Sequence, residues 1–213
     1  FCIMKKSFYL KEEEKIDDGF NYSSVLFPYF PSRADIIEPL GTVSLEYFLN
    51  AYKNPKNKML ETFKQIEEAT KNGDKKLKDK LKQTKLTYFT PSVCLTKRNY
   101  DSITSFTGVM VMEYDKLGEE DAQKLKKKIF KRFKSCICAY ISPSRSGCKF
   151  LFKIPVVDTV AQYKEYFYGL ASYLEKIDGF DTSNQSCVLP LFISYDLDML
   201  IRPQEELETW ILK

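Results

Sequence analysis

The strongest constraint on the fold lies between Phe106 and Tyr195, where the hydrophobic period switches from two to about 3.6 and back in a fixed order. Gly108-Val109-Met110-Val111-Met112-Glu113-Tyr114-Asp115 reads as a strand ending in acids. The next stretch places Glu119, Glu120 and Asp121 at its start and Lys126, Lys127, Lys128, Lys131, Arg132 and Lys134 toward its end. That is the polarity a helix macrodipole favours. Cys136 to Ser142 reads as a second strand, Pro143 to Gly147 as a turn, and Cys148 to Ile154 as a third strand closed by Pro155. From Asp158 onward, Val160, Tyr163, Phe167, Leu170, Leu174 and Ile177 recur at spacings of 3, 4, 3, 4 and 3, an amphipathic helix that stops at Gly179. Val188 to Tyr195 is expected to supply a fourth strand.

This order, β-α-β-β-α-β, predicts an α+β lobe of the ferredoxin-like or RNA-recognition-motif plan: a four-stranded antiparallel sheet with both helices on one face and the other face free. The first half reads differently. Residues 42 to 83 form three helical pieces, with Ser44 as an N-cap and breaks at Pro55 and Gly73. The last piece, from Asp74 to Lys82, has apolar residues only four apart, so it docks by a narrow stripe and is otherwise solvated, with nucleic acid as a second use of its lysines. Ser23 to Phe27 and Leu86 to Thr90 are short strands expected to pair this lobe into a sheet. At 213 residues, against roughly 150 per domain, the chain reads as one domain, with an N-terminal α/β lobe over 1–104 and a second lobe over 105–203 followed by a short C-terminal tail.

Composition excludes several chemistries. There is no histidine, which removes Ser-His-Asp triads and His-ligated zinc and leaves carboxylates, Lys, Tyr, Ser and Cys for any catalysis. The net charge of +4 is too small to establish nucleic-acid binding by itself. The six cysteines contain no C-x-x-C pair and read as free thiols of a reducing cytosol. No apolar run approaches the roughly 18 residues of a membrane span, and Phe1-Cys2-Ile3-Met4-Lys5 is too short for a signal-peptide core. A cytoplasmic protein is expected, in a bacterial or phage-infected cell by the resemblance below. A start without Met is what a fragment of a longer chain would have.

Three constellations bear on function. Glu113 and Asp115 share one face of their strand, where hard oxygen ligands suit Mg²⁺ or Mn²⁺; acids are also common where strands exit to solvent. The turn Ser142-Pro143-Ser144-Arg145-Ser146-Gly147-Cys148-Lys149 gathers hydroxyls, backbone N–H groups and two cations, a composition equally at home binding an anion or forming a solvated hairpin loop. Asp181 before the last strand, and Asp196 and Asp198 after it, are further acids, readable as metal ligands or as turn and strand-end residues. Gly147-Cys148-Lys149-Phe150-Leu151-Phe152 lacks the stacking aromatics of an RNA-recognition motif, which weakens a reading as a standalone RNA-binding module.

Taken together and in order, these elements resemble the archaeo-eukaryotic primase superfamily, and within it the primase-polymerase-like domain at the N-terminus of virulence-associated-E-type replication proteins of phages and mobile elements. The resemblance runs from about Gly41 to Pro203. It rests on Phe106-Thr107-Gly108-Val109-Met110-Val111-Met112-Glu113-Tyr114-Asp115-Lys116-Leu117, on Ile141 to Lys149 and on Phe192 to Asp198. It implies that Glu113, Asp115 and Asp181, the last chosen over Asp196, are catalytic residues holding Mg²⁺ or Mn²⁺. It also implies that Ser142, Ser144, Arg145 and Lys149 bind the incoming nucleotide, and that an N-terminal lobe packs on the RNA-recognition-motif-like lobe with the site in the cleft. The implied partners are nucleoside triphosphates, a single-stranded DNA template and a helicase domain or protein, with no membrane. Lys127, Lys128, Lys131 and Arg132 are the expected nucleic-acid contacts. The sequence departs from the family pattern in having Glu113 in place of an Asp, and Leu189 where an Arg is usual eight residues after Asp181. A catalytically silent module that binds nucleic acid or replication partners is the alternative expectation.

Overall fold

The structure is a computed structural model describing residues 12–32 and 35–212; Cys2 lies outside them. The first half contains strands β1 (Glu12–Glu14), β2 (Leu26–Phe30) and β3 (Gly41–Ser44), then helices α1 (Leu45–Lys53), α2 (Asn57–Lys71) and α3 (Lys75–Lys85), then β4 (Tyr88–Phe89), β5 (Val93–Leu95) and β6 (Ile103–Phe106). The second half runs β7 (Val109–Tyr114), α4 (Glu119–Arg132), β8 (Cys136–Ile141), β9 (Cys148–Lys153), α5 (Val160–Leu174), β10 (Phe180–Asp181), β11 (Leu191–Phe192), β12 (Leu200–Ile201) and β13 (Thr209–Ile211). The fold is mixed α+β, and its strand pairs are antiparallel.

Local chemistry explains the helix boundaries. Ser44 caps α1 by accepting from the Tyr47 N–H, Asp74 caps α3 through the Leu77 N–H, and Thr159 with Gln162 forms a capping box on α5. The central sheet has the order β10-β7-β9-β8-β12. Alternation along β7 sends Met110, Met112 and Tyr114 into a core with Ala122, Leu125 and Ile129 of α4 and Phe167, Leu170 and Leu174 of α5. Val109 and Val111 face the other way.

That second face is covered, which corrects the expectation of a free one. Val109, Val111, Tyr140 and Leu151 pack with Phe27, Phe48, Tyr52, Phe63, Ile66 and Leu81 of the first half, so every residue of β7, β8 and β9 is buried. The apolar stripes of α1 to α3 have no other place to go, and burying them at roughly 25 cal/mol per Å² outweighs leaving the sheet face wet.

The fourth strand of the β-α-β-β-α-β order is also corrected. Within the apolar run expected from Val188 to Tyr195, the strand is confined to β11, which joins the sheet β11-β4-β2-β3 instead. The edge beside β7 is taken by β10, where the Phe180 ring fits between Tyr114 and Phe167 at centroid distances of 5.4 and 6.3 Å. In the first lobe the strand begins later than expected, at Leu26, because Asn21 holds residues 21–24 in a turn by accepting from the Ser23 N–H and Oγ–H. The C-terminal tail is structural as well: β13 pairs with β1, and Trp210 is completely buried.

Among the described residues no helix is long and apolar enough to cross a membrane. The five described cysteines are free, and Cys94 is the one that is not buried. Burial pushes the Cys187 thiol up to about 11 and that of Cys148 up to about 12, with Cys136 and Cys138 raised further. Thiolate is the reactive form. In a Cys2→Ser background at pH 8, a disulfide reagent should therefore modify Cys94 first and the other four at the rate of unfolding, as read by mass spectrometry. Rapid modification of Cys138 in the native protein would contradict this packing.

Candidate functional site

One row of side chains crosses the central sheet. Asp181 on β10 lies opposite Glu113 on β7, Glu113 opposite Lys149 on β9, and Lys149 opposite Tyr140 on β8. Cross-strand pairs of this kind stand about 5 Å apart on one face. Lys149 donates to Glu113 Oε2 at 2.5 Å, and Asp115 follows at the end of β7. Carboxylate oxygens of Glu113, Asp115 and Asp181 lie within 4.8 Å of one another. Antiparallel register thus assembles three acids from two distant parts of the sequence, and among the described residues this is the group able to hold a metal ion.

The backbone around Asp115 is held by close packing. Its N–H donates to the Gly179 carbonyl at 2.8 Å, and Leu117 N–H donates to Ser146 O at 2.8 Å. A Cβ on Gly147 would overlap the Tyr114 carbonyl oxygen and come within 2.9 Å of Asp115 Oδ1; one on Gly179 would stand 2.6 Å from the Asp115 carbonyl oxygen. Gly179 has a φ of +87°, the left-handed region that glycine occupies freely. Both glycines let the turns approach the end of β7 closely. Asp181 caps the turn that follows it, accepting from the Ser183 N–H and hydroxyl, both at 2.8 Å.

These acids open into a cleft of about 250 Å³. Ser142 and Lys149 line it beside the acids, Asp79, Lys82 and Gln83 of α3 form one edge, and Leu189, Pro190 and Phe192 form another wall. The sequence-predicted hairpin residues separate here. Ser142 lines the cleft, and its hydroxyl bonds Ser144, which continues to Ser146. Arg145 is outside the cleft lining: from a left-handed φ of 58° it donates through Nε and Nη2 to Glu119 Oε1 at 3.1 and 2.9 Å and lies over the Tyr195 ring. Lys127, Lys128, Lys131 and Arg132 are exposed on α4, whose buried residues pack on the sheet face opposite to the acids. The structure does not bring them to the cleft.

Asp196 has a structural place. It is buried, pairs with the fully buried Lys126 at 2.7 Å, and accepts from the Ile141 and Asp198 N–H groups. Of the two acids, Asp181 and not Asp196 stands with Glu113 and Asp115. Sequence reading put Lys82 at the end of a solvated lysine-rich stretch and did not place it at the site. Its half-buried ammonium has a lowered pKa, first because burial disfavours the charge and then because Lys149 repels it. Leu81, buried in the second core, is the signal that fixes this face of α3 against the protein.

The fold and site define a mixed α+β protein with a carboxylate cleft between a hairpin, a sheet edge and a helix of the first lobe. The family model described as BT4734-like, N-terminal domain, matches residues 80–200, more than half of the chain, and the chain belongs to that family. No curated protein and no solved structure matches.

Breaking a buried ion pair from one side typically costs about 3–5 kcal/mol, whereas losing a cap costs about 1 kcal/mol. Asp196→Ala should accordingly lower the unfolding free energy several-fold more than Asp181→Ala in urea denaturation. Equal losses would mean that Asp181 is as structural as Asp196.

Proposed function

We propose that this protein is a primase-polymerase-like member of the archaeo-eukaryotic primase superfamily and carries out nucleic-acid-templated nucleotidyl transfer in the replication of a phage or mobile element. The observation that carries the reading is the convergence of Glu113, Asp115 and Asp181 beside Ser142 and Lys149 on one sheet face. The chain order β7-α4-β8-β9-α5-β10 and spatial order β10-β7-β9-β8 support an RNA-recognition-motif-like catalytic lobe, packed against an α/β lobe over the first half.

Three carboxylates with oxygens this close suit hard divalent cations, Mg²⁺ or Mn²⁺, which keep positions for phosphate oxygens. Bound there, such ions would activate an attacking 3′-hydroxyl and stabilise the departing pyrophosphate. Glu113, Asp115 and Asp181 are the residues that would hold them. Asp115 is the least encumbered: among the described residues its carboxylate makes no hydrogen bond or ion pair, whereas Glu113 is bound by Lys149 and Asp181 by Ser183. Lys149, with three N–H donors, can bridge Glu113 and a phosphate oxygen, and the Ser142 hydroxyl offers a further donor. The nucleotide, a single-stranded DNA template and a helicase domain or partner belong to this reading, with Lys127, Lys128, Lys131 and Arg132 as a template surface outside the cleft.

A silent binding module is the second reading. It is favoured by Leu189, an apolar side chain on the cleft wall at the position where the resemblance implies an arginine. The two separate in an assay of primer extension and de novo synthesis on single-stranded DNA with Mg²⁺ or Mn²⁺. Asp115→Ala should reduce metal-dependent product by more than the roughly 10–100-fold that loss of an outer-shell partner costs. Absence of product from the folded wild type, with DNA binding that survives Asp115→Ala, would establish the silent module.

A further inference from the structure

We infer that Lys82 of α3 is a second phosphate-binding cation of the cleft, gripping a polyphosphate anion together with Lys149. The inference rests on the nucleotide-binding reading above and adds a contact from the first lobe. Lys82 and Lys149 are the two cations among the residues lining the cleft. Lys149 already holds Glu113. The Lys82 ammonium, by contrast, makes no hydrogen bond or ion pair among the described residues.

Cations that lie deeper or reach a neighbouring acid are paired. Lys126 is paired with Asp196, Lys153 with Asp18, and Arg145 with Glu119, each within 2.9 Å. Lys82 differs from them in being half-buried at the mouth of the cleft with its ammonium unpaired, which leaves that charge open to an incoming anion. Burial, first, and the positive charges of Lys149 and Lys78 weaken its hold on its proton, while Asp115 and Glu113 strengthen it. An anion seated between Lys82 and Lys149 would give Lys82 its partner and add a second one to Lys149 beside Glu113. A triphosphate chain presents several charged oxygens in a row, so it can span two cations on different elements. Leu81 anchors the helix in the second core, and the neighbouring position on α3 faces the cleft.

The test uses inorganic tripolyphosphate as the probe, by calorimetry with Mg²⁺ in excess, on the wild type, Lys82→Ala, Lys82→Arg and Lys85→Ala, an exposed lysine of the same helix. Circular dichroism verifies folding. Lys82→Ala should weaken binding about tenfold or more, the worth of a hydrogen bond to a charged group. Lys82→Arg should retain most of the affinity and Lys85→Ala nearly all of it. A second readout is lysine acetylation followed by mass spectrometry. An amine with a lowered pKa reacts early, and an anion that restores its pKa slows it, so tripolyphosphate should protect Lys82. The inference is overturned if the wild type does not bind tripolyphosphate, if Lys82→Ala binds as the wild type does, or if Lys85→Ala loses as much.

Primer extension separates this result from the reading it rests on. With an active enzyme, Lys82→Ala should raise the nucleotide KM by a similar factor with kcat changed much less. If tripolyphosphate binding depends on Lys82 while the wild type extends no primer, the polymerase reading falls and the phosphate site stands. If extension proceeds with KM and tripolyphosphate affinity both indifferent to Lys82, the inference falls alone.

Discussion

The antiparallel ladder that joins β10, β7 and β9 is the interaction from which the rest of the molecule follows. A ladder has period two, so a single choice of register decides both which side chains enter the helix-covered core and which converge on the opposite face. Placing Met112 and Tyr114 against α4 and α5 obliges Glu113 and Asp115 to face the other lobe. Pairing Asp181 with Glu113 then supplies the third acid. A slip of one residue in β10 would bury Asp181 beside Phe167 and turn Phe180 toward the cleft, so the aromatic contacts of Phe180 protect the acidic cluster by fixing the register.

Burial on both faces raises the demand on polar groups that remain inside. Lys149, Lys153 and Lys126 are nearly or wholly removed from solvent, and each has a carboxylate partner from a distant segment. Such pairs are not large net sources of stability, because desolvation offsets most of the attraction. Their effect is on specificity: Asp18 from the N-terminal segment and Asp196 from the C-terminal one each have one cation to meet, which disfavours alternative packings of the ends against the sheet.

Much of this was legible from periodicity. The strands β7, β8 and β9 and the helices α4 and α5 have runs of six residues or more, long enough for alternation or a 3,4 spacing to register, and the acids at the end of β7 followed from alternation alone. The failures share a cause. A two-residue strand such as β10 has no period, and the apolar stretch around β11 looks like a core strand whichever sheet it joins. Sheet membership is decided by where Tyr88 and Phe89 lie, which local pattern does not contain. Arg145 and Lys82 exchange their expected settings for the same reason: a turn arginine is captured by Glu119, and a lysine in a lysine-rich helix is brought to the cleft by the docking of Leu81.

The clasp of β1 against β13 has a kinetic corollary. Glu12 pairs with Ile211 and Glu14 with Thr209, so the two ends of the described chain close a loop that contains nearly everything else. Contacts of such long sequence separation form late, after the entropy of closing the loop has been met. Until Trp210 is in place, the aromatic slot beside Gly169 and Tyr166 is an open apolar surface, so the residues that fill it last also close the core to water.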